Sequence, residues 1–258
     1  MPVLIGTSGW HYADWRRHFY PNGVAQKHWL HFYADRFDTV EINSSFYRLP
    51  SIKTVAQWNE ATPEGFRFSL KVSRYVTHVK KLHQVRDDLS TLLQRVDSLG
   101  PKLGPLLLQL PPTFRKDLDA LGDTLSGLRG LPVACEPRHP SWFDDDVAEL
   151  LAHHNAALCL ADNGGRPTGP LWRTADWGYI RFHRGRSQPT PCYGRRPLST
   201  WADRCARLWH PGETVYAYFN NDTHVCAVRD ARVFARLVER VGLEPSTVPG
   251  PHEVHLAQ

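Results

Sequence analysis

Eight short runs of branched and aromatic residues recur along this chain, nearly all followed by a segment of helical period, and this alternation limits the fold more than any other feature. The runs fall at residues 3–5, 39–42, 66–72, 106–110, 132–136, 157–162, 179–183 and 215–219. Between them Trp29, Leu30, Tyr33 and Phe37, then Leu89, Leu92, Leu93 and Val96, then Leu118, Leu121 and Leu125 keep the spacing of one apolar helix face. Strands alternating with helices through short loops predict an α/β fold, a single TIM-type (β/α)8 barrel, and 258 residues match the usual size of about 250. The reading places one barrel domain at 1–242, irregular between strands six and seven where 163–176 is rich in Gly and Pro, and a loose C-terminal tail at 243–258. A doubly wound open sheet is the alternative.

Composition narrows the class further. At 41% hydrophobic and 22% charged residues the chain reads as an ordinary globular protein able to bury a large core. A formal net charge of +5 eases contact with anions. Five cysteines, odd in number and without a CxxC spacing, argue against a disulfide framework and a zinc ribbon, and point to a reducing cytoplasm. The first strand starts at Val3, which leaves no room for a secretion signal, and no apolar run reaches the roughly 20 residues of a membrane span. Oligomeric state leaves no trace in the sequence.

Within a parallel barrel the C-terminal strand ends converge on one face, where barrel enzymes keep their catalytic groups. Polar residues of this chain gather there. Glu41 and Asn43 share one face of the second strand, and Lys71, Gln109, Glu136 with Arg138, Asp162, Arg181 with His183, and Asn220 with Asn221 all lie late in their strands or just beyond. A ring of polar groups from seven strands costs several kcal/mol per buried charge unless each is compensated, which predicts a pocket. The Gly6-Thr7-Ser8-Gly9 turn lacks the spacing of a dinucleotide fingerprint or a P-loop.

Several of these segments together resemble a known family. Gly6-Thr7-Ser8-Gly9-Trp10, Val40-Glu41-Ile42-Asn43-Ser44-Ser45-Phe46-Tyr47, Phe68-Ser69-Leu70-Lys71-Val72 with Thr77-His78, Leu108-Gln109-Leu110-Pro111-Pro112, Arg138-His139-Pro140-Ser141-Trp142, Tyr179-Ile180-Arg181-Phe182-His183 and Tyr218-Phe219-Asn220-Asn221-Asp222 are similar to the motifs of the YecE-like proteins, domain of unknown function 72. The resemblance implies a TIM-type barrel in the bacterial cytoplasm and no established activity. It departs from the pattern at Pro137 and Arg184.

Three chemistries suit the pocket. The first is an acid/base, hydrolase-like enzyme on a small anionic, phosphorylated substrate, with Glu41, Lys71, Glu136 and His183 catalytic and Ser8, Trp10, Asn43, Tyr47, Gln109, Arg138, Arg181, Arg186, Asn220 and Asn221 binding. Arg186 and Arg195, in the loop after strand seven, would contribute to a phosphate site. No cofactor or metal is expected on this reading. The second is a metal-dependent sugar or phosphate enzyme holding a divalent cation on Glu136, Asp162 and His183. The third is nucleic-acid binding or processing, because Trp10 and Trp15 interleave with Arg16 and Arg17, Tyr47 with Arg48, and Arg74 and Tyr75 with His78, Lys80 and Lys81.

Overall fold

The protein is described here by a computed structural model covering residues 1–246. All eight expected strands form: β1 (Pro2–Thr7), β2 (Thr39–Ile42), β3 (Arg67–Lys71), β4 (Leu103–Leu110), β5 (Val133–Pro137), β6 (Ala157–Asn163), β7 (Gly178–Arg184) and β8 (Val215–Phe219). A ninth, β9 (Glu244–Pro245), was not anticipated; it pairs parallel with β1 in the segment expected to be a loose tail, the rest of which lies outside the described residues. The helices are α1 (Trp29–Ala34), a single turn α2 (Ser44–Tyr47), α3 (Ile52–Glu60), α4 (Arg86–Val96), α5 (Leu118–Gly127), α6 (Asp145–His153), α7 (Arg195–Leu208) and α8 (Cys226–Arg240). Residues 164–177 form no helix, in keeping with their Gly and Pro content. No helix among the described residues is long and apolar enough to cross a membrane.

The closed barrel is not formed. Strands run in the order β2-β3-β4-β5-β6-β7-β8-β1-β9, one parallel sheet curled into a half-barrel with no ladder between β1 and β2. Two observations account for the opening. Over Pro2 and Val3 the second edge of β1 is taken by Glu244 and Pro245. Further along, the Tyr33 hydroxyl sits between the strands, accepting from the Thr7 N–H at 2.9 Å and donating to the Thr39 carbonyl at 3.0 Å. Gly6 allows this approach, since a Cβ there would lie 2.2 Å from the Thr39 carbonyl oxygen.

Strand alternation divides the core into two layers. Val40, Ile42, Phe68, Leu70, Leu106, Leu108, Leu158, Leu160, Ile180 and Phe182 face outward against the helices. To the inner apolar cluster β5 and β6 contribute the small residues Ala134, Ala157, Cys159 and Ala161, and the space they leave is filled by Leu107, Tyr179 and Tyr218. Trp29, Leu30, Tyr33 and Phe37 are buried as expected of a packing face. Their cluster extends to Tyr20, stacked on Trp29 at 4.3 Å between ring centroids.

One disulfide, Cys192–Cys226, forms in a chain whose cysteine count and spacing argued against a disulfide framework. It ties the loop after β7 to the start of α8 across 34 residues, a pairing set by tertiary contact and absent from local spacing. Cys135, Cys159 and Cys205 are free and buried.

Candidate active site on the inner face

Inner-face positions near the C-terminal ends of β2, β5 and β7 bring Glu41, Glu136 and Arg181 into one network. Arg181 is 1% exposed and bridges both carboxylates, with Nη2 2.8 Å from Glu41 Oε1 and Nη1 2.6 Å from Glu136 Oε2. The Ser8 hydroxyl donates to Glu41 Oε1 at 2.7 Å and the Tyr179 hydroxyl to Glu41 Oε2 at 2.6 Å. Glu136 accepts from Gln109 Nε2 at 2.9 Å and from His183 Nε2 at 2.9 Å, with Arg138 3.5 Å away at the rim. Strands β2, β4, β5 and β7 and the turn after β1 thus supply one continuous set of charge-assisted hydrogen bonds.

Electrostatics follow from that geometry. Burial alone would raise the Glu136 carboxyl, but Arg181, His183 and Arg138 overcome it and hold the group well below the ordinary carboxylate range. Burial likewise opposes the Arg181 charge, and Glu41 and Glu136 more than offset it, so the guanidinium is held firmly ionised. His183 donates from Nε2 to the Glu136 carboxylate, and its Nδ1 lies 3.3 Å from Asn220 Nδ2, so both ring nitrogens are engaged. Every carboxylate oxygen of Glu41 and Glu136 accepts at least one hydrogen bond.

Lys71 lies on the same face one strand away and is different. Its ammonium makes no hydrogen bond or ion pair among the described residues and sits 3.9 Å over the Phe46 ring. Burial first, then the Arg181 charge, lowers it to about 8, against the opposing pull of Glu41 and Glu136. His78 also packs against Phe46, edge to face with centroids 5.0 Å apart, and its Nδ1 lies 2.9 Å from the Thr77 hydroxyl. Burial and the charges of Lys71, Arg74 and Arg138 lower His78 to about 4, so this imidazole is neutral at physiological pH. Phe46 and Tyr179 were absent from the residues expected at the site, and His78 was expected only in the nucleic-acid reading. A helical turn spanning Tyr75–Val79 directly after β3 presents His78, and no hydrophobic periodicity announces so short an element.

Other expected residues are placed elsewhere. Asp162 faces outward and accepts from Tyr193 OH at 2.8 Å, Trp201 Nε1 at 2.7 Å and the Gly165 N–H at 2.9 Å, so it cannot share a cation with Glu136 and His183. Among the described residues no cluster of His, Cys, Asp and Glu suits a metal ion. Asn221 ties Asp230 at 2.7 Å to the Pro191 carbonyl at 3.1 Å, outside the ring. Trp10 is buried against Trp58, and Trp15 is fully buried, which removes both from any stacking surface. Tyr47 is exposed, while Asn43 keeps Oδ1 buried with no hydrogen-bond partner. Arg186 is exposed with its guanidinium against Gly164, and Arg195 opens α7.

The fold is shared with proteins of known structure, and the sequence is similar to that of further proteins. UPF0759 protein YecE of Escherichia coli (strain K12) is 34% identical over 143 residues, 55% of this chain and 50% of that protein, so the chain matches about half the length of that relative. UPF0759 protein YunF of Bacillus subtilis (strain 168) is 25% identical over 282 residues, covering 94% of this chain and 98% of that one. A DUF72 family protein from Thermotoga maritima MSB8 superposes with a TM-score of 0.77 at 27% identity, over 93% of this chain and 100% of that structure. One from Enterococcus faecalis V583, at 19% identity and a TM-score of 0.75 over 92% and 95% of the two chains, shares the fold. The family described as "Protein of unknown function DUF72" matches residues 4–253, and the chain belongs to it.

Proposed function

We propose that the inner-face pocket is the site of an acid/base enzyme acting on a small anionic substrate, with Lys71 and His78 exchanging protons and Arg138 meeting the anion. The observation that carries this reading is the Lys71 ammonium, partly buried and without an oxygen acceptor, beside two arginines. Three cations, Lys71, Arg138 and Arg181, stand against the carboxylates of Glu41 and Glu136, so the mouth attracts negative charge. Arg138 is 43% exposed in its side chain and reaches solvent from the edge of the network. Arg181 Nε and Asn43 Oδ1, buried and unpartnered, are further points for a polar ligand to engage.

Glu41 and Glu136 take a supporting part in this scheme, in place of the catalytic one expected from sequence. They hold Arg181 and counter part of the charge near Lys71. Proton exchange falls to groups whose ionisation lies near neutrality or below and whose lone pairs are reachable, namely Lys71 at about 8 and His78 at about 4.

Thermal unfolding in rising inorganic phosphate tests the reading. A ligand at 100 times its dissociation constant stabilises by about 2.7 kcal/mol. The parent protein is expected to shift upward in melting temperature, Arg138→Ala and Lys71→Met to shift much less, and Lys53→Ala, on the exposed side of α3, to behave as the parent. Equal shifts in all four proteins would place phosphate elsewhere.

A further inference from the structure

We infer that Lys71 is a carbonyl-capturing amine, forming a Schiff base with a substrate that carries an aldehyde or ketone beside its anionic group. The inference rests on the anionic-substrate reading and adds the class of reacting group. Reversible imine formation asks for an amine whose lone pair is not tied to an acceptor, apolar cover over the new C=N bond, a neighbouring group that relays protons, and negative charge to balance the iminium.

The other lysines show how unusual this surrounding is. The chain has seven, at positions 27, 53, 71, 80, 81, 102 and 116. Lys102 is the more deeply buried, and there the ammonium is satisfied by the carbonyls of Asn59 at 2.6 Å and Thr62 at 2.7 Å. Lys80 pairs with Asp88 at 2.7 Å, and Lys116 with Asp144 at 2.7 Å and Asp146 at 2.6 Å. Lys81 donates to the Thr113 carbonyl, and Lys27 and Lys53 are exposed. Lys71 alone joins burial to an ammonium whose near contact is an aromatic ring. An ammonium left in that position is a cost to the fold that a structural lysine avoids by finding oxygens, as Lys102 does.

The neighbours fit each stage of the reaction. The neutral Nζ adds its lone pair to the carbonyl carbon as the C=O π electrons move to oxygen, which takes a proton to give a carbinolamine. Loss of that hydroxyl as water, with a second proton supplied, leaves the iminium. In net terms one ammonium and one carbonyl give one iminium and one water. His78, a neutral imidazole packed edge to face on Phe46 and near enough to feel the Lys71 charge, is able to take the proton leaving nitrogen and return it to the departing hydroxyl. Phe46 covers the position of the new bond, and Glu41 and Glu136 balance the iminium where they now balance the ammonium.

Reductive trapping decides the matter. With glyoxylate and sodium cyanoborohydride at pH 7, peptide mapping is expected to find the adduct on Lys71 well before Lys27 or Lys53. An amine near pKa 8 holds roughly a hundredfold or more of the neutral form than an ordinary lysine at that pH. The trapping rate should reach half its plateau near pH 8, and Lys71→Arg, which keeps the positive charge, should lose the adduct while keeping the phosphate shift. Adducts spread over exposed lysines with none at Lys71 overturn the inference. If phosphate still stabilises the protein through Arg138 in that case, the anion site stands and carbonyl capture alone is lost; absence of both the adduct and the phosphate shift removes both readings.

Discussion

Two cations on the inner face of the sheet occupy opposite surroundings. Arg181, on β7, gives Nη1 and Nη2 to two carboxylates and is sealed from solvent. Lys71, on β3, faces a ring and has no oxygen within bonding distance among the described residues. Both are charges taken partly out of water, and burial disfavours both. For Arg181 the carboxylates reverse the penalty; for Lys71 they only reduce it. The first arrangement holds strands together, and the second leaves a partly buried charge without an oxygen partner at the expense of stability.

Removing the first should therefore be far more damaging. Arg181→Met leaves Glu41 and Glu136 buried without their cation, and breaking a buried pair from one side costs about 3–5 kcal/mol. Urea unfolding at pH 7 is expected to show a loss of that order. The pH dependence gives a second reading. In the parent, Glu136 is depressed below its unfolded value, so its contribution is present above about pH 4.3 and is lost as pH falls through the folded value. In Arg181→Met the buried carboxyls gain protons more readily than unfolded ones, so stability recovers toward acid and the gap between the two proteins narrows. A variant as stable as the parent at pH 7 would break the contrast outright.

Lys71→Met is expected to act in the other direction. The folded lysine titrates near 8 and the unfolded one near 10.4, so below pH 8 the folded state bears a charge it disfavours. Parent stability should rise with pH between those values, because the unfolded chain then holds the extra proton. At pH 7 the variant should gain on the order of 1–3 kcal/mol, and the advantage should vanish by about pH 10.4. Denaturant unfolding at pH 7 and pH 10 measures it. A loss at pH 7 would mean that Lys71 finds acceptors after all.

Much of this contrast was legible in the sequence, and the unread part has physical causes. Alternation located eight strands and put Glu41, Lys71, Gln109, Glu136, Arg181 and His183 near one end of the sheet. Strand parity, applied more strictly, would also have turned Asp162 outward: Ala157, Cys159 and Ala161 are the small inner residues of β6, and Asp162 follows on the face of Leu158 and Leu160. The same count separates Asn220, which meets His183, from Asn221, which serves Asp230. Barrel closure could not be read that way. It fails on a two-residue strand near the end of the described chain and on one tyrosine hydroxyl, and neither leaves a periodic trace. The pairing of Glu41 and Glu136 was hidden for a similar reason, since the sequence shows carboxylates at strand ends but not that one arginine engages both.

The smallest expected effect tests whether placement on the inner face, and not positive charge near the mouth, sets anion binding. Arg186 belongs to the loop after β7, where an anion site was expected from the arginines and glycines. That loop is held firmly, with Gly185 N–H donating to the Pro191 carbonyl at 2.8 Å, Ser187 N–H to Cys192 at 3.0 Å, and Cys192 bonded to Cys226. Its Arg186 guanidinium rests on the Gly164 turn and is exposed. Exposed charges act weakly through water and are screened over a Debye length of about 8–10 Å, whereas Arg138 touches the buried network directly. Arg186→Ala is therefore expected to change phosphate affinity less than about twofold and stability by no more than about 0.5 kcal/mol, while Arg138→Ala weakens phosphate binding severalfold. Titration calorimetry on the two variants at low and moderate salt compares them. Equal losses would extend the anion site across the loop after β7 and make the contrast between Arg181 and Lys71 one part of a wider charged surface.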